Sequence, residues 1–166
     1  RQAFSLISDE QLVLSTAFGY QLNPNLHITT DFQKFDELTV AAAKATSIVN
    51  KVGLMEKAVE LYQGKLLPSA EGEHWLVHTA NRYHFAYMST ANELLTQLMT
   101  IHAYDLIHQY AALALTIAPE NAKAYYWLIQ SYLKQNMEEM ATGELVAAKQ
   151  KLPDEEYQKL LQELKK

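Results

Sequence analysis

Apolar residues recur at helical spacing over much of the chain, most regularly between Ala122 and Pro153. Steps of three and four residues place such side chains on one face of a helix. The first helix of this stretch would bury Tyr125, Leu128 and Tyr132, and the second would bury Ala141, Leu145 and Ala148. The alanines leave room for close helix contact, and Pro153 cannot continue the helix. The pattern predicts a pair of antiparallel helices.

The same stretch fits the tetratricopeptide pattern, a helix–turn–helix unit of about 34 residues with aromatic, Leu, Tyr, small and Pro positions in fixed order. Pro119 and Pro153 are separated by one such period, so a second unit precedes the first. Its small positions hold Ala111 and Ala114, whereas Ile107 replaces a small residue. Its first helix would bury Leu94, Leu95 and Leu98. An ordinary helical hairpin could share these spacings.

A third, weaker copy covers residues 32–62 and requires an insertion before the next copy. We expect helices at 30–52, 54–63, 73–102, 104–118, 122–135, 138–151 and 154–165. Gly53 would end the first helix, and Val49 and Trp75 would point inward. A solenoid needs at least three repeats because one repeat cannot bury its own face. The predicted fold is therefore all-α, a tetratricopeptide-like array of antiparallel helical hairpins with about seven helices, the last of them a cap.

The N-terminal stretch contains the strand signals of the chain. Leu12, Val13 and Leu14 precede a break at Gly19, and apolar and polar residues then alternate from Tyr20 to Leu22. This alternation predicts a short β-hairpin, which needs a packing partner to be stable in water.

Composition limits the functional classes. The chain has 166 residues, no cysteine and a net charge of −5, so it has no disulfide framework, no thiolate metal site and no overall nucleic-acid footprint. No run is long enough for a transmembrane helix, and no signal peptide is evident. We expect a cytoplasmic protein. Because the sequence opens at Arg1 within an apparent element, we interpret it as a piece of a longer protein.

Candidate chemistry is sparse. His74 and His78 lie four residues apart on one predicted helix, but no glutamate follows as in a zinc-protease motif, and no third ligand is evident. His102 and His108 are six residues apart, a spacing that gives a weaker indication of a metal site. The sequence has neither a nucleophile motif nor a glycine-rich phosphate loop. We expect no enzyme activity, cofactor or metal site.

A peptide-binding groove is the remaining candidate site. Arg82, Tyr126 and Trp127 fall off the packing positions and could line such a groove. The tyrosines at positions 83, 87, 125 and 132 are expected in the core. Arg1 and Lys34 could contact phosphates in the intact protein, but two charges supply little affinity.

The central part of the chain resembles a known family. A helix that begins with Asp31-Phe32 and continues to Phe35 is followed by the run 58–68, AVELYQGKLLP, and then by Trp75 and Arg82. This order resembles the bacterial transcriptional activator domain that follows the winged-helix DNA-binding domain in SARP-type regulators. The resemblance covers residues 29–166 and implies a domain of that extent.

The hairpin fits the same resemblance. Gly19-Tyr20-Gln21-Leu22 is similar to the strand on which the wing returns in winged-helix domains, although Ala17-Phe18 departs from the usual Gly- or Pro-rich tip. Residues 1–28 would then be the remnant of a DNA-binding domain, with Gly19, Tyr20 and Leu22 in its wing.

The resemblance implies the interaction and signalling region of a bacterial DNA-binding transcriptional activator. DNA would bind through the upstream winged helix of the full-length protein. RNA polymerase, other regulatory domains or another copy of the chain would bind the helical array, and no membrane partner is expected. The alternative is a free-standing tetratricopeptide scaffold that binds a peptide or partner protein.

Overall fold

The computed structural model describes residues 11–27, 29–64 and 73–165, which contain one β-hairpin and seven helices. The elements are β1 (Val13–Thr16), β2 (Gly19–Leu22), α1 (Asp31–Lys44), α2 (Ile48–Leu61), α3 (His74–Thr100), α4 (Tyr104–Ile117), α5 (Ala122–Lys134), α6 (Glu138–Lys151) and α7 (Asp154–Leu164). The chain forms two compact units, with the boundary after Thr30. Arg1 and the run Leu66-Leu67-Pro68 lie outside the described residues.

The first unit is the predicted hairpin. β1 and β2 pair antiparallel, with Val13 opposite Leu22 and Thr16 opposite Gly19. Gly19 has φ +130°, a backbone conformation that side chains with a Cβ rarely adopt. The Thr16 hydroxyl donates to the Gly19 carbonyl at 3.2 Å and accepts from the Phe18 amide at 3.3 Å. These bonds, together with the conformation of Gly19, close the turn between the two strands.

The second unit is an all-α array of three helical hairpins, α1–α2, α3–α4 and α5–α6, followed by α7. Each helix packs on the next along the chain, and α3 also packs on α5, as α5 does on α7. The last two hairpins keep the period set by Pro119 and Pro153: α3 and α5 end at Thr100 and Lys134, and α4 and α6 begin at Tyr104 and Glu138. The predicted fold class is confirmed.

The first hairpin differs from expectation. The predicted helix over 30–52 is wrong, because the chain leaves the helix after Lys44 and α2 begins at Ile48. Ser47 precedes α2 in an extended conformation, with φ −92° and ψ 131°. Gly53 lies inside α2 instead of ending it, although glycine in a helix interior costs about 1 kcal/mol. The break at residues 45–47 lets two helices of 14 residues fold against each other. It also leaves Val49 74% exposed instead of inward.

Two apolar clusters form the core of the array. The main one contains buried side chains from α1 to α5, including Phe35, Ala58 and Leu94. The other joins α5, α6 and α7 through residues such as Ile129 and Leu160.

Trp75 does not join either cluster, contrary to expectation, and is 69% exposed. Leu76 and Tyr83 occupy the core face in the first half of α3. Trp75 precedes Leu76 by one residue, which turns its side chain by about 100° around the helix axis.

Candidate partner-binding face

One side of α5 carries a row of accessible side chains. The row consists of Lys123, Tyr126, Gln130 and Leu133, at steps of three, four and three residues. Lys123 and Leu133 are exposed, whereas Tyr126 and Gln130 are half-buried. These steps align the four side chains along the helix. We call them the α5 row; it has a cation at one end and an apolar side chain at the other.

Lys123 lies over two aromatic rings at its end of the α5 row. Its Nζ atom is 5.1 Å from the centre of the Tyr126 ring and 5.6 Å from that of Trp127. The two rings meet edge to face, with centres 4.8 Å apart. The carboxylate of Glu163, on α7, lies 4.0 Å from the same Nζ atom. An exposed ion pair of that length contributes about 0–1 kcal/mol, so Lys123 remains available to another carboxylate.

Tyr126 and Trp127 differ in accessibility despite their adjacent positions. Both are half-buried, but Trp127 packs against the main core cluster. Its Nε1 atom is fully buried and has no hydrogen-bond acceptor among the described residues. Tyr126 packs beside the second cluster and contributes to the α5 row. Trp127 therefore packs on the core side of the α5 row, while Tyr126 is one of the accessible side chains of the row.

Arg82, the third predicted groove residue, joins α3 to α1. Its Nη2 atom lies 3.3 Å from the Asp36 carboxylate, and its guanidinium stacks 4.1 Å above the Tyr83 ring. The Tyr83 hydroxyl donates to the same Asp36 oxygen at 3.1 Å. Burial and the nearby Asp36 raise the pKa of Tyr83. Arg82 keeps 58% of its side chain exposed.

The three groove candidates form two separate patches. Arg82 precedes Asn92 by ten residues on α3, which corresponds to about 15 Å of helix. Asn92 lies beside the N-terminal end of α5, because its side-chain oxygen accepts a hydrogen bond of 3.2 Å from Asn121, which directly precedes that helix. Arg82 therefore lies well beyond the end of α5 that carries Tyr126 and Trp127.

Asn121 is an organising residue that the sequence interpretation missed. Only 3% of it is exposed. Its side-chain oxygen accepts from the amides of Lys123 and Ala124, at 3.1 and 3.2 Å, and so caps α5. Its nitrogen bonds to Asn92 on α3. Asn121 thereby fixes α5 against α3 and sets the position of Lys123. An Asn directly before an apolar helix is a capping signal visible in the sequence.

A shallow pocket of about 290 Å³ lies at the turn between α3 and α4. It is lined by His102, Ala103, Tyr104, Asp105, Leu106 and Gln135. His108 lies nearby, with its ring stacked on Tyr132 at 4.4 Å and its Nε2 atom 3.3 Å from Gln135. Burial lowers the pKa of His108. His74 and His78 are exposed on α3. The described residues contain no cluster of three or more potential metal ligands.

The wing candidates lie on the surface of the hairpin. Gly19, Tyr20 and Leu22 form most of β2, and Tyr20 is 78% exposed. Phe18 at the tip is fully exposed. Residues 11–27 contain neither Lys nor Arg. The described hairpin thus presents apolar side chains and no cation that could contact a phosphate.

Two further findings concern membrane-spanning helices and known relatives. Among the helices described here, none has the length and apolar character needed to cross a membrane. Comparison with protein-family models, with curated proteins and with solved structures gives no match to the chain.

Proposed function

We propose that the chain is the protein-interaction and signalling region of a bacterial DNA-binding transcriptional regulator, and that the α5 row receives the partner. The resemblance of residues 29–166 to the bacterial transcriptional activator domain suggests the class. The observation that carries the proposal is Lys123, which lies over Tyr126 and Trp127 and makes a long contact to Glu163.

The chemistry of the α5 row suggests the kind of partner segment. Helix α5 contains two lysines and no acidic residue, in a chain of net charge −5. A carboxylate that approaches Lys123 would replace Glu163, and apolar side chains further along the segment would contact Leu133. Surfaces of RNA polymerase or of other regulatory domains are the partners that such a region would bind in the cytoplasm.

DNA binding belongs, in this proposal, to a winged-helix domain upstream of the chain. The absence of Lys and Arg between residues 11 and 27 supports this assignment, because phosphate contacts supply most non-specific DNA affinity. A gel-shift assay tests it directly. Residues 1–166 should give no sequence-dependent shift, and the protein extended through its upstream sequence should give one. A specific shift with residues 1–166 alone, or an upstream sequence without a winged-helix pattern, overturns the assignment.

Charge reversal tests the α5 row. Purified bacterial RNA polymerase is passed over immobilised protein that carries Lys123→Glu, with Lys149→Glu as the matched control. Lys149 lies in the last turn of α6, is also exposed and is not part of the α5 row. We expect Lys123→Glu to weaken binding at least about tenfold and Lys149→Glu to leave it unchanged. Equal effects of the two substitutions would remove the α5 row from the proposal.

A free-standing tetratricopeptide scaffold is the second candidate. The regular period of the last two hairpins favours it, because that regularity serves any stacked repeat array. A scaffold holds an extended peptide without any upstream domain. A reporter assay separates the candidates: the regulator raises transcription when its array is fused to an unrelated DNA-binding domain, and the scaffold does not.

A further inference from the structure

The first half of α3 carries a second row of exposed side chains, distinct from the α5 row. It consists of Trp75, His78, Arg82 and Phe85, at steps of three, four and three residues. Trp75 and Phe85 are 69% and 70% exposed. We call these residues the α3 row. It lies in the first half of α3, a helix of 27 residues that is paired with a helix α4 of 14 residues.

We propose that the α3 row is a self-association surface on which a second copy of the chain packs its own α3 row antiparallel. The order of side chains in the row is symmetric: aromatic, basic, basic, aromatic, with the same steps from either end. A twofold axis beside the middle of the row therefore places Trp75 against Phe85 of the other copy. The same axis places His78 against Arg82 of the other copy. A surface that matches itself in this way is what a twofold dimer requires.

The polar centre of the row suits such a pairing. Asp36 lies 3.3 Å from Arg82 and compensates its charge within each copy. The two arginines face histidines and not each other, so the pairing does not oppose like guanidinium groups. The guanidinium keeps N–H groups that can donate to the imidazole of His78. The charges of two copies are thus compatible at the centre, and the apolar contacts lie at both ends.

The available area is that of a weak dimer. An aromatic side chain buries about 150–250 Å², so the exposed two-thirds of four rings supply roughly 400–700 Å². The polar centre and the flanking side chains of two helical stretches of about 15 Å each add the remainder. Specific interfaces begin at about 1,200 Å², so the four rings supply roughly a third to a half of the smallest such interface. The expected dissociation constant is in the micromolar range, about 1–100 µM. This inference does not depend on the identity of the partner at the α5 row.

Sedimentation velocity of residues 1–166 over about 1–300 µM tests the proposal. We expect a concentration-dependent shift from monomer to dimer. Trp75→Asp and Phe85→Asp should each weaken association at least about 30-fold, with an unchanged far-UV circular dichroism spectrum. Val49→Asp is the control, because Val49 is 74% exposed on α2, and it should dimerise like the parent. A monomer at all concentrations, or a dimer that is unaffected by Trp75→Asp, overturns the proposal.

Cysteine cross-linking tests the antiparallel register. The chain has no cysteine, so each introduced thiol is unique. His78→Cys mixed with Arg82→Cys should form a disulfide between copies under oxidised glutathione, faster than either variant alone. Equal cross-linking by each variant alone contradicts the pairing of position 78 with position 82. The readout does not depend on any transcriptional activity.

Discussion

His102 and Asn136 adopt the same left-handed backbone conformation, with φ of 57° and 59°, and the two positions are one repeat period apart, like Pro119 and Pro153. Each lies just after the first helix of a hairpin, α3 or α5. The amide after His102 reaches back to the Leu98 carbonyl at 3.0 Å, and the amide after Asn136 reaches the Tyr132 carbonyl at 2.9 Å. This closure satisfies the last carbonyls of each helix. The repeat is therefore preserved in its turns as well as in its packing.

The first prediction concerns His102. A residue with a Cβ costs about 1–2 kcal/mol in the left-handed region, and substitution by glycine removes this cost. Glycine also gives the unfolded chain more conformational entropy, which offsets part of the stabilisation. We expect His102→Gly to raise the free energy of unfolding by about 0.5–1 kcal/mol, measured by urea denaturation. Ser89→Gly, at an exposed position inside α3, should lower it by a similar amount. A loss of stability with His102→Gly would contradict the expectation and show that the contact of His102 with the Tyr104 hydroxyl at 3.1 Å contributes more.

Ala148 tests the close approach of α5 and α6. It is fully buried in the second cluster, beside Leu152 and Leu160. Ala148→Leu adds three carbon atoms at a site without solvent exposure, and overpacking of a core costs about 1–3 kcal/mol. The unfolding temperature should fall accordingly. Val146→Leu, at a site 55% exposed on the same helix, should leave it nearly unchanged. An unchanged temperature for Ala148→Leu would remove Ala148 from the helix interface.

Tyr87 is fully buried on α3, and its hydroxyl has no hydrogen-bond partner among the described residues. Its ring stacks on Tyr62 at 4.5 Å, a contact that phenylalanine preserves. An unsatisfied buried hydroxyl costs about 1–3 kcal/mol. Tyr87→Phe should therefore stabilise the fold by about 1 kcal/mol in chemical denaturation.

Tyr110→Phe is the matched comparison for Tyr87→Phe. The Tyr110 hydroxyl donates to Glu60 at 2.9 Å, so its removal should destabilise the fold by about 1 kcal/mol. If both substitutions lower stability, the Tyr87 hydroxyl has a favourable interaction in solution, and the prediction is wrong.

Glu144 on α6 makes stability depend on pH. Burial raises the pKa of Glu144 above its ordinary value of 4.5, so the folded chain binds the proton more tightly than the unfolded chain. Its contribution to stability is full below pH 4.5 and is lost as pH rises through the higher folded pKa. Glu144→Gln should raise the unfolding temperature at pH 7, and the gain should disappear below the ordinary pKa.

Glu93 should show the opposite sign. A hydrogen bond from Lys51 at 2.8 Å, with a second from Gln97, lowers the pKa of Glu93. Its stabilising effect is present above the ordinary value of 4.5 and is lost as pH falls through the folded pKa. Glu93→Gln should therefore lower the unfolding temperature at pH 7 and have little effect in acid. If the two variants change the unfolding temperature in the same direction at pH 7, at least one of the two assignments is wrong.

Sequence patterns predicted the helices from α3 onward to within a few residues. Apolar steps of three and four, the prolines at 119 and 153 and the small residues at 111, 114 and 148 carry that information locally. They did not predict the break at residues 45–47, because the apolar steps continue through it and Gly53 is the stronger local stop signal. The choice there depends on how α1 packs on α2, which is a tertiary effect.

The candidate site was less predictable. Periodicity alone assigned Arg82, Tyr126 and Trp127 to one groove, but the distance between Arg82 and α5 follows from the relative stacking of two helices. Trp127 also falls off the ideal packing positions and is nevertheless held against the main core. Lys123 was not singled out, since its role depends on the rings beneath it and on Glu163 of α7. Such contacts between elements are not encoded in spacing along one helix.

The two apolar clusters meet through Leu115 and Tyr132, which pack against both. The second cluster contains far fewer large side chains and lies at the C-terminal end of the array. A stacked array loses its end units at lower cost than its middle, because an end unit has a neighbour on one side only. The amides of α6 and α7 should therefore exchange with solvent through local opening, while those of α3 exchange only when the whole array unfolds. Since Glu163 lies on α7, each such opening also separates its carboxylate from Lys123, and a partner carboxylate then meets the exposed lysine without competition from Glu163.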